Sequence, residues 1–438
     1  MVHTIEISYV LSSTDFKYLI QDIYELKSFD KESFNLFLEG ERNYYPLPSL
    51  PVGITHLAFI RDKQFYSTIY MKVVLDLQSL IYGSPTIDLF TPVYSEIQKL
   101  CYAYAEAILT IFPSLVELNI DTDSYLNSKN ATNCTLESLP YLILAKVTDI
   151  DYSLNLNTKE GQKTVCLKYI KASYLDSKKK IQHYKKNVGG DKNYNLYAKS
   201  DAKKPSSITK VYDKLRYYDD KEIPITESLR ASAENILRYE YRKPTDLRNF
   251  VAKNYKLPKT FLTSPFLLSP VTFFEYNICY KILMGEYNKT IGAADWYNDY
   301  FFAKLINSSS LTAHKRSVIL NDIAPLVSIK RSIESALPAY TEGYILKTGK
   351  KIKGSACTFK KYREEALSLN IQLLRIPDRD KHHYIMNPIK SIQSNRQNVN
   401  RKITLPPHIK ANIDKLLQHI WLNELSRNCE EQQKSIVI

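Results

Sequence analysis

A tyrosine among charged residues is the first feature of this sequence with the potential for chemistry. Within residues 208–242, the segments ITKVYDK and ILRYEYR alternate polar and apolar side chains, as strands do. The polar faces carry Lys210, Tyr212 and Lys214 in the first segment, and Arg238, Glu240 and Arg242 in the second. If the faces coincide, a phenol lies among four cations and one carboxylate, an arrangement suited to a phosphodiester substrate.

The chemistry open to Tyr212 is nucleophilic attack on phosphorus. A phenol has a reference pKa near 10, so about one part in a thousand is ionised at neutral pH, and Lys210 and Lys214 would favour the phenolate. Attack would leave a phosphotyrosine and a free hydroxyl, which keeps the energy of the broken bond for rejoining. The alternative is an ordinary half-buried sheet tyrosine, because the chain has 34 tyrosines and residue type distinguishes none of them.

Two aspartates on a predicted strand, residues 146–157, indicate a candidate metal site. Asp149 and Asp151 fall on one face of this segment, KVTDIDYSLNLN, and would repel each other unless a cation lay between them. Mg²⁺ or Mn²⁺ would satisfy them through oxygen ligands and would polarise a phosphoryl oxygen. Glu240 is a further candidate ligand. The alternative is the solvated outer face of an edge strand.

Clustered basic residues predict a polyanionic partner. The net charge is +14, and residues 158–216 hold 16 Lys and Arg against 5 Asp and Glu. Such a local excess is typical of nucleic-acid binding, and a basic surface without a partner is the alternative. We expect Arg238 and Arg242 to grip phosphates, with Lys210 and Lys72 as further DNA contacts.

Cysteine usage and hydropathy give the expected compartment. The six cysteines are far apart, with no CxxC pair and no zinc-like spacing, which indicates isolated thiols in a reducing compartment. The N-terminus lacks the basic region of a signal peptide, and no apolar run reaches the roughly 18 residues that span a bilayer. We therefore expect a cytoplasmic protein without a membrane partner.

An α+β domain is predicted to position the polar residues. Strand-like alternation occurs at residues 3–11, 53–60, 65–73, 146–157, 208–215 and 236–242, and helical spacing at residues 13–24, 94–112 and 164–174. These amphipathic strands favour one open antiparallel sheet with helices on one face and the polar residues on the other. Residues 178–205 are the most basic and least periodic part of the chain, and predict a loop facing DNA.

The remainder of the chain is predicted to be mainly helical. We expect a catalytic domain at residues 1–256 and a C-terminal domain at residues 257–438, with helices at residues 271–284, 293–306, 313–326, 328–337 and 407–425. Ser355 is the expected cap of a basic helix that carries Lys360, Lys361 and Arg363. That helix suits a winged or helix-turn-helix DNA-binding segment near residues 340–376, and a solvated helix face explains the same charges.

Several segments carry a resemblance to a known family. In chain order they are GITHLAFIRDKQFYSTIYMK, YAEAILTIFPSL, TDIDYSLNL, VYDK and LRYEYR. Together they resemble the replication initiators of filamentous phages, of the gene II and X type that is shared with some plasmids. They are also similar to rolling-circle plasmid initiators that pair a Y-[DN]-K run with a later R-x-E-x-R strand. The resemblance covers residues 50–250 and, through CTFKKYREEALSLNIQL, parts of residues 330–375.

The resemblance implies a fold and a set of site residues. It implies a ferredoxin-like catalytic domain of the HUH-endonuclease type, with Tyr212 as nucleophile and Asp151 and Glu240 as metal-binding carboxylates. Tyr217 and Tyr218 follow closely and are alternative nucleophiles. The sequence departs from many related endonucleases in lacking a clear His-hydrophobic-His pair, which favours a metal held by carboxylates with the third ligand unassigned.

The implied activity is the initiation of rolling-circle replication. Such an initiator nicks one strand through a 5′-phosphotyrosine, leaves a 3′-hydroxyl for synthesis and later rejoins the strand. The implied partners are origin DNA, either single-stranded or supercoiled duplex, and a host helicase with its replication machinery in the cytoplasm of a bacterial host. The alternative is a non-catalytic DNA-binding protein, such as a repressor or packaging factor.

Overall fold

The protein is α+β, with a large antiparallel sheet, as the sequence predicts. A computed structural model describes residues 1–65, 68–127, 135–176, 178–181, 195–200, 205–255, 257, 259–392 and 401–425. Most of the basic loop predicted at residues 178–205 lies outside these residues, as do Cys134 and Cys429. Within them, Cys101, Cys166, Cys279 and Cys357 are free thiols. The ferredoxin-like arrangement stays a prediction.

The strands follow the predicted alternation closely in the N-terminal half. They are β1 Val2–Ser12, β2 Tyr44–Pro46, β3 Ile54–Arg61, β4 Thr68–Asp76, β5 Lys146–Asn157, β6 Lys180–Ile181, β7 Asn195–Lys199, β8 Ile208–Asp213, β9 Ile236–Lys243, β10 Trp296–Tyr297, β11 Tyr344–Ile345, β12 Lys351–Ile352 and β13 Tyr384–Ile385. The predicted hairpin is confirmed as β3 and β4, and the strand predicted at residues 146–157 is confirmed as β5.

The helices confirm the segments predicted at residues 13–24, 94–112, 164–174, 313–326 and 407–425. The segments predicted at residues 271–284, 293–306 and 328–337 are only partly helical, because residues 274–275 and 331–332 interrupt two of them and residues 296–297 form a strand in the third. The helices are α1 Ser13–Tyr24, α2 Lys31–Leu38, α3 Leu77–Tyr82, α4 Tyr94–Ile111, α5 Thr122–Asn127, α6 Lys163–Ser173, α7 Lys214–Asp220, α8 Glu227–Ala233, α9 Leu247–Asn254, α10 Pro270–Phe273, α11 Tyr276–Thr290, α12 Asp299–Asn307, α13 Ala313–Val318, α14 Ala324–Lys330, α15 Ile333–Glu342, α16 Ala356–Ser368 and α17 Pro407–Gln418. Two π-helical turns, Ile319–Ile323 and His419–Glu424, extend α13 and α17.

The chain forms two compact units, each built from separate segments. The first contains residues 1–153, 242–282 and 395–438, and the second contains residues 154–241 and 283–394. Both units take residues from either side of residue 256. The division into a catalytic domain at residues 1–256 and a C-terminal domain at residues 257–438 stays a prediction. β5 contributes residues 146–153 to the first unit and 154–157 to the second, while β9 contributes residues 236–241 to the second and 242–243 to the first.

In the first unit, the strand order is β2, β3, β4, β1, β5, with antiparallel pairing throughout. β1 alternates and buries Ile5 and Ile7. It ends at Ser12, whose side chain accepts a bond from the Asp15 amide at 3.0 Å while the Asp15 carboxylate accepts from the Ser12 amide at 3.1 Å. This capping box starts α1 at the predicted residue.

The end of the described chain also belongs to the first unit. Helix α17 packs against α4, more than three hundred residues earlier, and buries Ile409, Ile413, Leu416 and Leu417. Between the two helices, Asp414 accepts hydrogen bonds from Gln98, at 2.7 Å, and from the hydroxyl of Tyr102. The terminal helix is therefore part of the core of this unit.

In the second unit, the strand order is β5, β9, β8, β7, β6. Two small antiparallel pairs, β10 with β13 and β11 with β12, accompany helices α12 to α16 in the same unit. β8 therefore neighbours β9, which is the relationship needed to bring the polar faces of residues 208–242 together. β5 has neighbours on both sides, so it is an interior strand and the edge-strand alternative is wrong.

Candidate functional site

Tyr212 and Glu240 meet across neighbouring strands of the second unit. The hydroxyl of Tyr212 on β8 donates a 2.6 Å hydrogen bond to Oε1 of Glu240 on β9. The other carboxylate oxygen, Oε2, accepts from Nζ of Lys210 at 3.0 Å. Glu240 is only 3% exposed, so both of its oxygens are held by protein donors. The two polar faces therefore coincide at these three side chains.

The environment of Tyr212 keeps its phenol neutral. Burial raises the pKa of Tyr212 well above its ordinary value, and the negative charge of Glu240 raises it further, while Arg238 acts in the opposite direction. A neutral phenol donates its proton to a carboxylate, as this hydrogen bond requires. The expectation that Lys210 and Lys214 favour the phenolate is therefore not met, because Lys210 is paired with Glu240.

Lys214 lies in a helix rather than on the strand that carries Tyr212. The side chain of Asp213 caps α7 by accepting from the amides of Leu215 and Arg216 at 3.0 and 3.2 Å, so β8 ends one residue before Lys214. The Lys214 ammonium lies 4.8 Å from the ring centroid of Tyr217 and 4.6 Å from that of Tyr218. The prediction that Lys214 shares a strand face with Tyr212 is wrong, because the Asp213 cap starts a helix there.

Arg238 is enclosed rather than displayed to solvent. Its side chain is 0% exposed, and its Nε donates to Oδ1 of Asn155 on β5 at 2.8 Å. A guanidinium in this position cannot grip a phosphate on the surface without a rearrangement of the sheet. Its influence on the pKa of Tyr212 indicates that it acts on the site through its charge.

A separate ionic cluster occupies the first unit. Arg242 donates from Nε to Oδ2 of Asp149 at 2.7 Å, and the same nitrogen lies 3.7 Å from Oδ1 of Asp151. Thr4 donates its hydroxyl to Oδ2 of Asp151 at 3.0 Å. Asp149 and Asp151 are 6% and 8% exposed. The cation expected between the aspartates is thus supplied by the chain itself.

Sequence reasoning missed the contribution of β1 to this cluster. The antiparallel register places Glu6 opposite Asp149 and Thr4 opposite Asp151. Glu6 in turn binds the predicted DNA contact Lys72, with 2.8 Å between Oε2 and Nζ. The alternation of residues 2–12 does put Thr4 and Glu6 on one face. It does not show that β1 pairs with β5, because that pairing joins segments that are far apart in the sequence.

The carboxylates of the predicted metal site are largely taken up by contacts within the protein. Burial is the main cause that raises the pKa of Asp149, and its Oδ1 is buried without a hydrogen-bond partner among the described residues. However, Arg242 already binds Asp149, and Glu240, in the second unit, is held by Lys210 and Tyr212. In the part of the chain that the structure describes, no group of three or more His, Cys, Asp or Glu residues is arranged to hold a metal ion. The arrangement does not fit a three-ligand site, and Mg²⁺ or Mn²⁺ binding stays a prediction.

The basic helix near the C-terminus begins where the sequence predicts. Ser355 caps α16 by accepting from the Thr358 amide at 3.1 Å. Lys361 is exposed and Lys360 is half-buried. Arg363 is 5% exposed and donates from Nη2 to the carbonyls of residues 290 and 291, each at 3.0 Å. Arg363 therefore ties α16 to the end of α11, and only the two lysines are available as predicted DNA contacts.

Comparison with known proteins adds nothing to these observations. No protein-family model matches this chain, and no curated protein shows significant similarity to it. The resemblance to phage and plasmid initiators therefore stays a prediction. Of the helices that the structure describes, none combines the length and apolar character needed to cross a bilayer.

Proposed function

We propose that this protein initiates rolling-circle replication by nicking one DNA strand through Tyr212 and later rejoining it. The observation that carries the proposal is the 2.6 Å hydrogen bond from the Tyr212 hydroxyl to Glu240. A nucleophile within hydrogen-bond reach of a base, with the base oriented by a third group, is the arrangement that covalent catalysis uses. Here Lys210 is the third group, at 3.0 Å from Glu240.

Glu240 acts as the general base in the proposed nicking step. As Oη of Tyr212 attacks the phosphorus, its proton passes to Glu240 and the bond from phosphorus to the 3′ oxygen breaks. The departing 3′ oxygen takes a proton from water, and the 5′ phosphate remains on the tyrosine. Rejoining is the reverse, with a 3′-hydroxyl attacking the phosphotyrosine while Glu240 returns the proton. General-base assistance of this kind contributes about 10² to 10⁴ in rate.

The charge of Arg238 supports the same step. Its guanidinium lowers the pKa of Tyr212 against the larger effects of burial and Glu240. Because the phenol gains negative charge on the way to the transition state, a fixed cation nearby stabilises that state more than the ground state. Arg238 needs no direct DNA contact for this role.

The wider proposal follows the family resemblance. It includes a ferredoxin-like catalytic fold, a requirement for Mg²⁺ or Mn²⁺, and origin DNA with a host helicase as partners in a bacterial cytoplasm. The net charge of +14 supports a DNA partner. A metal would polarise the phosphoryl oxygen, and the proton transfers described for Tyr212 and Glu240 do not depend on where it binds.

One observation favours the alternative of a non-catalytic DNA-binding protein. The pKa of Tyr212 is raised by burial of its hydroxyl, and a half-buried phenol bonded to a buried carboxylate also serves to satisfy two polar groups of a sheet. A repressor or packaging factor would use the same basic surface without cleaving DNA. The two functions differ in whether a covalent protein–DNA adduct forms.

The test is adduct formation by matched tyrosine variants. The wild type, Tyr212→Phe, Tyr217→Phe and Tyr218→Phe are each incubated with single-stranded and supercoiled origin DNA and Mn²⁺, then run on denaturing gels. We expect Tyr212→Phe alone to abolish the adduct while DNA binding stays within about threefold. An undiminished adduct in Tyr212→Phe would place the nucleophile elsewhere. No adduct from the wild type would favour the non-catalytic alternative.

A further inference from the structure

A second basic segment lies in the C-terminal part of the second unit. Residues 343–361 contain six lysines and no Asp or Glu. Their first part is a two-stranded pair, β11 with β12, in which Tyr344 lies opposite Ile352 and Ile345 lies opposite Lys351. We call residues 344–353 the basic hairpin. It directly precedes α16, the helix that carries Lys360 and Lys361.

The turn of the basic hairpin has a defined conformation. The amide of Leu346 donates to the Lys350 carbonyl, and the amide of Gly349 donates to the Leu346 carbonyl, both at 2.9 Å. Gly349 has a φ of +80°, a left-handed conformation that glycine adopts without steric cost. A turn followed by a left-handed glycine is a common way to close a short hairpin. The tip is therefore a specific turn.

The inner face of the basic hairpin is anchored in the protein. Leu346 and Ile352 are 5% and 4% exposed. The amide of Gly354 donates to the carbonyl of Tyr340 at 3.1 Å, and a Cβ atom at Gly354 would lie 2.5 Å from the Tyr340 ring. Tyr340 packs in turn on Phe359 of α16, with 5.6 Å between ring centroids. The hairpin is thus fixed to both flanking helices.

The outer face of the basic hairpin is exposed and positively charged. It presents Ile345, which is 64% exposed, beside Lys347, Lys351 and Lys353, which are also exposed. Lys350 forms an ion pair with Asp322. For the other three lysines, the described part of the chain supplies no acidic partner. Three cations are therefore held on a fixed support and left for an external anion.

We propose that the basic hairpin binds the phosphate backbone of duplex DNA. This inference rests on the proposed function and assigns to it a second DNA contact, separate from the residues around Tyr212. A lysine ammonium binds phosphate as a point charge without reading bases. The expected binding is therefore independent of sequence and strongly dependent on salt.

The composition of the outer face favours a duplex over other polyanions. Single-strand binding depends on aromatic side chains that stack with bases, and the outer face has none. Tyr344 lies on the other face, with the Lys330 ammonium 4.5 Å from its ring centroid. Surface binding to a membrane needs a broad apolar face, whereas Ile345 stands alone. A two-stranded ribbon also fits the width of the major groove.

The test compares two variants that lose the same charge. Lys347→Gln/Lys351→Gln/Lys353→Gln is compared with Lys17→Gln/Lys27→Gln/Lys31→Gln, whose lysines are exposed in the first unit. Fluorescence anisotropy with a labelled duplex of arbitrary sequence is measured between 50 and 200 mM salt. We expect the hairpin variant to lower the slope of log affinity against log salt by about 2 to 3, at roughly 0.9 per phosphate contact. The control should keep the wild-type slope.

Three further readouts decide the proposal. Unchanged thermal unfolding of both variants shows that the chain still folds. The proposed duplex contact would be overturned if the hairpin variant kept the wild-type salt slope, or if the control variant lost as much of the slope as the hairpin variant. A selective loss of binding to anionic vesicles, with duplex binding unchanged, would overturn it as well. Adduct formation on a short single strand should be unaffected in the hairpin variant. If the wild type forms no adduct, the nicking proposal fails, while the salt slopes still test the hairpin.

Discussion

The Tyr212 hydroxyl and the Glu240 carboxylate form a proton donor and acceptor pair at 2.6 Å, in which the carboxylate is buried and the tyrosine is half-buried. The pair is polarised by two cations, Lys210 on the carboxylate and Arg238 near the phenol. Each cation affects a different partner of the proton transfer. Their effects can therefore be separated by substitution, and the proposed mechanism predicts a different outcome for each.

Glu240→Gln should slow adduct formation by about 10² to 10⁴ at neutral pH, because the amide cannot accept the phenolic proton as a base. The same change removes a charge that raises the pKa of Tyr212, so the phenolate forms more readily as the pH increases. We therefore expect the rate of the variant to recover on the alkaline side. The measurement is the initial rate of adduct formation against pH. A variant with the wild-type rate and profile would show that Glu240 is not the base.

Arg238→Gln should reduce the adduct rate by at least about tenfold, because it removes the cation that lowers the pKa of Tyr212. Binding to duplex DNA should stay within about twofold, since the guanidinium is 0% exposed. Arg248→Gln, an exposed change of equal charge, is the matched control and should leave the adduct rate unchanged. A large loss of DNA binding in Arg238→Gln, with its fold intact, would instead support the phosphate contact expected from the sequence.

Arg242→Gln should destabilise the protein by roughly 2 to 4 kcal/mol at neutral pH. Breaking a buried ion pair commonly costs more, but Arg242 is 36% exposed and solvent screens part of the effect. Urea unfolding of the variant and of Arg248→Gln gives the comparison.

The loss in Arg242→Gln should also depend on pH. Burial already raises the pKa of Asp149, and Arg242 is the main influence that lowers it. Without Arg242, the folded state holds a proton on Asp149 more tightly than the unfolded state does, so stability is lost as the pH rises through the folded pKa. The destabilisation should be smaller at about pH 5 than at about pH 8. Equal losses at both pH values would contradict this assignment.

A divalent ion that binds the aspartates must compete with Arg242. In Arg242→Gln we therefore expect Mn²⁺ to bind more tightly than in the wild type and to raise the unfolding midpoint, because two carboxylates lose their cation. Calorimetric titration measures the affinity without reference to activity. Adding Asp149→Asn to Arg242→Gln should lower the Mn²⁺ affinity of that variant at least tenfold. An Mn²⁺ affinity that neither change alters would place the metal ligands elsewhere in the chain.

Local patterns predicted the elements better than the contacts between them. The capping box at Ser12 and the alternation of residues 146–157 fix α1 and β5, because short-range chemistry decides both. Alternation also placed Tyr212 and Glu240 each on the polar face of its own strand, and the structure brings these two faces together. It failed at Lys214, because the alternating pattern continues in the sequence, whereas in the structure Asp213 caps a helix at that point.

Two other contacts depend on long-range packing that no local pattern specifies. Arg363 has the sequence context of a surface cation, but carbonyls at residues 290 and 291 take up its guanidinium, and these lie more than seventy positions away. Glu6 joins the aspartate cluster only through the register of β1 on β5. In both cases the tertiary fold determines the partner, and the residues next to Arg363 or Glu6 in the sequence do not indicate which partner it is.

The packing of α17 on α4 has a consequence for the order in which the protein is made. Gln98 and Asp414, which join these helices, are 316 residues apart. At typical synthesis rates, α4 leaves the ribosome about 15 to 60 seconds before α17 exists. For that period the apolar side of α4 lacks the helix that covers it. The first unit, whose earliest segment is made before any of the second unit, is therefore completed only after the second unit. Nascent chains at this stage are expected to depend on chaperones, and slower translation would prolong that dependence.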